Sequence, residues 1–145
     1  MIYFLDTSAL VKRYIEEPGS DNVQTCFDSA KVIAVSRLAY PETLSAIVRR
    51  KPSLRDCTDD DFHQLVENFR RDWNHFMVLG MNHETLHHVE RVIETYRLRG
   101  ADSIHLSAAL WLHTVTKSPV VFVTSDNELL SAASAERLMI FNPAA

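Results

Sequence analysis

Four acidic residues in this 145-residue chain stand where apolar runs give way to helical stretches: Asp6, Glu42, Asp102 and Asp126. Asp6 ends the run Ile2–Leu5 and is followed by Thr7 and Ser8. Glu42 lies in the first turns of a helical stretch that follows Val32–Val35. Asp102 opens another helix just after Gly100, and Asp126 comes directly after Val120–Thr124. Taken singly, Asp102 and Asp126 read as helix caps. Glu42 reads as a favourable charge at a helix N-terminus. Asp6 reads equally as a cap or as a functional carboxylate. Four caps on one edge explain the pattern less well than one site does. Carboxylates brought within a few ångströms raise one another's pKa, and a divalent cation relieves that repulsion. Oxygen donors with few His or Cys partners suit Mg2+ or Mn2+ rather than Zn2+. Such an ion acts on phosphate oxygens, activating a water and holding the leaving oxygen of an in-line displacement.

The elements that must position these acids alternate. Strands are predicted at Ile2–Leu5, Val32–Val35, Phe76–Leu79, Val120–Thr124 and Leu138–Phe141. Helices are predicted at Ser8–Glu17, Asp21–Ala30, Leu38–Arg50, from a capping box at Thr58 and Asp61 to Trp73, from Asn82 to near Gly100, at Ala101–Val115 and at Asp126–Ala135. Ile104, Ala108, Trp111 and Val115 are expected to face inward. Short apolar strands separated by helices imply βαβ units and a parallel sheet. The expected fold is a three-layer α/β/α sandwich with a central, mostly parallel sheet of about five strands, formed by residues 1–145 as one domain. A helical hairpin over Asn82–Val115 should precede the strand Val120–Thr124. In such sheets ligands bind beyond the carboxyl ends of the strands, the edge to which the topology can bring all four acids.

Composition sets the outer bounds. Hydrophobic residues make up 46% and charged residues 23% of the chain, ordinary globular usage that excludes a disordered tail or a rod. The apolar runs are too short to span a membrane. Asp6 stands where a signal peptide would carry its apolar stretch, so a soluble, cytoplasmic protein is expected. The 15 basic and 19 acidic residues leave a net charge of −4, which argues against nucleic-acid binding by a basic surface alone. Setting the four site acids aside leaves a balanced surface, so the acidity of the chain is largely that of the site. Cys26 and Cys57 fit no zinc spacing and read as reduced thiols.

The motifs together resemble those of PIN-domain ribonucleases, most closely the VapC-type toxins of toxin–antitoxin pairs. The resemblance rests on Asp6-Thr7-Ser8-Ala9-Leu10 with Lys12, on Pro41-Glu42, and on the run from Gly100 to Ala109 that contains Asp102 and His105. It also rests on Thr124-Ser125-Asp126 with Leu130 and Ala133, and on Asn142-Pro143. It implies a compact α/β/α fold and Mg2+- or Mn2+-dependent endonuclease action on RNA that leaves a 5′-phosphate and a 3′-hydroxyl. By position it implies Asp6, Glu42, Asp102 and Asp126 as the catalytic and metal-binding acids, with Thr124 orienting them through its hydroxyl. It further implies a homodimer and a cognate antitoxin that covers the acid pocket with an Arg or Lys. The chain departs from the pattern at Ala135-Glu136-Arg137, where a Gly is common. The fourth acid varies in the family, and Glu128 could stand in for Asp126.

Other readings fail or stay open. A receiver domain would need an Asp where Ser36 stands and a Lys after Phe141, and a dehalogenase-type phosphatase would need an Asp where Ser8 stands. An RNA-processing nuclease outside a toxin pair remains, as does a non-catalytic module whose acids pair with a basic partner. His83, His87 and His88 are expected on one helix and read as a solvated face. His105 could point near the site. Arg49-Arg50-Lys51 and Arg55 read as a solvated helix end, with contact to RNA phosphates as the alternative. Trp73 and Trp111 read as packing residues.

Overall fold

The computed structural model describes all residues from Met1 to Ala145. Five strands form one sheet: β1 (Ile2–Leu5), β2 (Val32–Ser36), β3 (Met77–Leu79), β4 (Val120–Val123) and β5 (Met139–Phe141). Their order is β3-β2-β1-β4-β5, and every pairing is parallel. The helices are α1 (Thr7–Leu10), α2 (Ser20–Ser29), α3 (Ala39–Arg50), α4 (Asp59–Trp73), α5 (Val89–Tyr96), α6 (Gly100–Val115) and α7 (Asn127–Ala135). The expected sandwich and parallel sheet are therefore present.

The central strands β1, β2 and β4 are apolar apart from Ser36 because both of their faces are covered, whereas the edge strands leave Met77, Met139 and Ile140 exposed. Successive side chains point to opposite faces of a strand. Ile2, Phe4, Val120 and Phe122 face one core with Val92, Leu106, Ala109 and Leu129 from α5, α6 and α7. Leu5, Ile33, Val35, Val121 and Val123 face a second core with Leu10, Val23, Ile47 and Phe69 from α1 to α4. Phe4 and Phe122 are direct partners across the sheet and stack with centroids 5.7 Å apart. That register sets Leu5 beside Val123 and so carries Asp6 and Thr124 to the same carboxyl edge. No helix is long and apolar enough to cross a membrane. Cys26 and Cys57 are free.

The capping box at the start of α4 forms as predicted. Thr58 Oγ1 accepts from the Asp61 N–H at 3.0 Å, and Asp61 Oδ2 accepts from the Thr58 N–H at 3.2 Å. Three helix predictions need correction. The stretch Ser8–Glu17 is α1 followed by a 3-10 turn over Val11–Arg13. Ala9 to Lys12 are all buried, which an amphipathic helix does not allow, and Ser20 Oγ donates to the Ile15 carbonyl beyond the turn. No continuous helix runs from Asn82. Asn82 and Thr85 close one turn reciprocally, each backbone N–H meeting the other's side-chain oxygen at 3.0 Å. Ser107 of α6 then donates to the Thr85 carbonyl and accepts the His88 N–H, so the helical ladder starts afresh at Val89. His83, His87 and His88 thus precede α5 instead of lying on one helix. α5 ends at Arg97, a left-handed residue with φ 56°, before Gly100 is reached. The inward face of α6 also differs from expectation. Val115 is exposed and Trp111 half-buried, while Ser103, His105, Leu106, Ala109 and Leu112 are buried with Ala108. A helix covered by both sheet and α5 buries more than one stripe.

Candidate active site

Asp6 follows the last residue of β1 and is buried at the sheet edge. It caps α1, accepting the Ala9 N–H on Oδ1 at 3.0 Å. Ser8 Oγ donates to the same oxygen at 2.8 Å, and Thr124 Oγ1 donates to Oδ2 at 2.7 Å. Cap and site carboxylate are therefore one group. Burial pushes the Asp6 carboxyl above its ordinary value, against the hydrogen bonds of Thr124, Ser8 and Ala9 and the nearby His105.

Thr124 is fully buried and works in two directions. Its hydroxyl donates to Asp6 and accepts the Asp126 N–H at 3.0 Å. Asp126 caps α7 through Leu129 N–H, also at 3.0 Å. Ser8 Oγ accepts the Ser125 N–H, which ties the two loops together.

Glu42 lies in the first turn of α3. Its Oε1 accepts Thr7 Oγ1 at 2.8 Å and His105 Nε2 at 2.7 Å. Burial raises its pKa, but the His105 and Thr7 hydrogen bonds outweigh that and hold the carboxyl below its ordinary value.

Asp102 lies in the first turn of α6 but does not cap it, since that role falls to Arg99. It is half-buried and takes part in no side-chain hydrogen bond or ion pair. Burial raises its carboxyl pKa first, and the charges of Asp126, Asp6 and Glu42 raise it further, against His105. Asp102 thus feels the other three carboxylates, and none of the four meets a Lys or Arg. Their side chains do not converge into a ready-made cage, and no three His, Cys, Asp or Glu groups have the spacing to hold an ion between them. The four acids line none of the five principal surface cavities; Glu42, Asp102 and Asp126 are partly exposed at the sheet edge, and Asp6 is buried.

The sequence profile of the PIN domain matches residues 3–135. The chain belongs to the PIN domain family. A relative, Ribonuclease VapC45 of Mycobacterium tuberculosis, is 31% identical over 114 residues, covering 76% of this chain and 75% of its own. Two solved structures share the PIN fold at low identity. FitAcB from Neisseria gonorrhoeae superposes with a TM-score of 0.68 at 18% identity, covering 99% of this chain and 98% of the other. A toxin–antitoxin complex from Klebsiella pneumoniae gives 0.66 at 16% identity, covering 97% of each chain.

In this PIN domain the predicted residues Asp6, Glu42, Asp102, Asp126 and Thr124 all fall at the carboxyl edge of the sheet. Thr7 and Ser8 were visible only as neighbours of Asp6, yet Thr7 donates to Glu42 and Ser8 to Asp6, two of the candidate carboxylates. Two hydroxyls directly after a strand-ending Asp were the available signal. His105 does reach the site, through Glu42. Glu128 is exposed on α7 and has no bond to the other acids. Arg50 is drawn into an ion pair with Glu17, and Lys51 into one with Asp59. Trp73 packs edge-on against Tyr40, Phe69 and Phe76.

Proposed function

We propose that this PIN domain is a divalent-cation-dependent endoribonuclease, the toxin of a toxin–antitoxin pair, in which Asp6, Glu42, Asp102 and Asp126 form the catalytic acidic site. The observation that carries this reading is Asp102, a half-buried carboxylate with no donor of its own whose charge is disfavoured first by burial and then by three other acids. A cation removes that penalty. The donor set also fits one chemically. It consists of carboxylate oxygens, and Mg2+ takes only one or two such ligands while keeping its waters. A preformed cage is therefore not required.

Asp6, Glu42, Asp102 and Asp126 would hold Mg2+ or Mn2+. When bound, such an ion polarises the phosphate and lowers the pKa of its water. The chain's own residues do the positioning. Thr124 and Ser8 fix the Asp6 carboxylate, and Thr124 also fixes the backbone that presents Asp126. Their hydrogen bonds favour the ionised Asp6 carboxyl against the larger effect of its burial. The accessible edge suits a polymer whose backbone must lie across it, where a small substrate would need enclosure.

The VapC relative is named a ribonuclease, and a fold neighbour is a toxin–antitoxin complex. The first supports RNA as substrate and the second a protein partner, which on this reading would offer cationic side chains to the acids. A homodimer is part of the same reading, as is a cytoplasmic setting, with which the two free thiols agree.

The test is cleavage of single-stranded RNA by the purified protein with Mn2+ or Mg2+. The wild type should cut, leaving 5′-phosphate ends, and EDTA should stop it. Asp6→Asn should abolish cleavage while keeping the fold. Equal cleavage by Asp6→Asn and wild type, with contaminating nucleases excluded, refutes the assignment.

A further inference from the structure

We propose that His105 is a positioning residue that, together with Thr7, clamps one oxygen of Glu42 and leaves only the other oxygen to meet the cation. The inference rests on Glu42 being a cation ligand, as proposed above. Both donors converge on Oε1, Thr7 Oγ1 at 2.8 Å and His105 Nε2 at 2.7 Å. A carboxylate oxygen offers about two lone-pair sites, so Oε1 is filled and Oε2 carries the free coordination capacity. A half-exposed Glu side chain has three rotatable bonds and would otherwise sample many rotamers. The clamp fixes it in one.

The ring of His105 argues for this role over packing. His105 lies one turn beyond Asp102 on α6, so both project from neighbouring positions on that helix. It is 2% exposed. Because Glu42 accepts, the hydrogen between the two groups sits on Nε2. The far nitrogen, Nδ1, is then buried with no partner. A buried polar atom left unsatisfied lowers stability. A residue kept only to fill space would be better as an apolar side chain, like the adjacent Leu106. The cost is explained if the Nε2 contact is what the position supplies.

Packing and positioning predict opposite results for His105→Leu. We expect metal-free His105→Leu to melt no lower than wild type, while its Mn2+ affinity, measured by the EPR signal of free Mn2+, falls by about 10- to 100-fold. His105→Gln places an amide nitrogen near the position of Nε2 and should restore most of that affinity. Thr7→Val removes the other half of the clamp and should weaken Mn2+ in the same sense. Wild-type affinity in His105→Leu overturns the proposal. So does a His105→Gln variant as weak as His105→Leu. Should His105→Leu not fold, unchanged affinity in Thr7→Val overturns it. Wild-type protein that binds no Mn2+ removes the cation reading itself and this inference with it. Binding that is lost in Asp6→Asn but kept in His105→Leu removes the inference alone.

Discussion

Replacing Thr124 by Val tests whether one buried hydroxyl sustains the charge of Asp6. The substitution keeps the shape and exchanges a hydroxyl for a methyl. Two bonds are lost: the donation to Asp6 Oδ2 at 2.7 Å and the acceptance of Asp126 N–H at 3.0 Å. A hydrogen bond to a charged group contributes about 2 kcal/mol, and stranding the buried partner of a second costs about 2 kcal/mol more. Burying the new methyl offsets about 1 kcal/mol. The net loss is about 3 kcal/mol. Unfolding entropy near the midpoint is about 2.1 cal/mol/K per residue, or about 0.3 kcal/mol per degree for a chain of this length. The melting temperature should therefore fall by about 10 °C in EDTA at pH 8, read by calorimetry. The pH dependence follows from Asp6. Burial raises its folded pKa, so the ionised carboxyl costs stability above that pKa, and the Thr124 hydroxyl reduces the cost. That help is present above the folded pKa and fades as pH falls through it. The gap between wild type and Thr124→Val should narrow at pH 4. A loss of under about 3 °C at pH 8, or the same loss at both pH values, would refute the account of Thr124.

Asp102→Asn should melt above wild type in EDTA at pH 8, because the raised pKa of Asp102 means that its ionised form costs stability above that pKa. The gain should vanish as pH falls below the ordinary carboxylate range, and a calorimetric pH series checks both limbs. Thr58→Ala removes the α4 capping box and should cost about 1 kcal/mol in urea unfolding without changing RNA cleavage, since the Thr58 side chain bonds to Asp61 and to none of the four acids. Gly19→Ala should cost more than about 1 kcal/mol. Gly19 has φ 98°, and a Cβ there would meet Pro143 C at 2.9 Å. Faster amide exchange at Ala144 and Ala145 would show that the C-terminus has been displaced.

Local rules carried much of the fold. The strands were readable because each is a short apolar run bounded by polar residues, and the α4 cap because its partners lie three residues apart. The acids were readable because strand ends and helix starts are local features, which the parallel rule turns into one edge. What could not be read depends on distant residues. Ser107 interrupts the segment after Asn82 from 19 and 22 positions away. The contact of His105 with Glu42 spans 63 positions, and that of Thr124 with Asp6 spans 118. Asp6 and Asp126 matched their reading as caps. Asp102, read singly as a cap, does not cap α6, and no local signal separated it from an ordinary first-turn acid. The buried face of α6 was misread because small residues let two neighbours approach it at once.

The strand order also sets when the edge can be completed. β1, the first strand made, lies between β2 and β4, and β4 begins only at Val120. A chain that ends before that strand keeps the Ser8 hydroxyl on Asp6 but lacks the Thr124 hydroxyl and Asp126. The four carboxylates are thus brought together only once β4 has been made, and copies released before it carry Asp6 without its Thr124 partner.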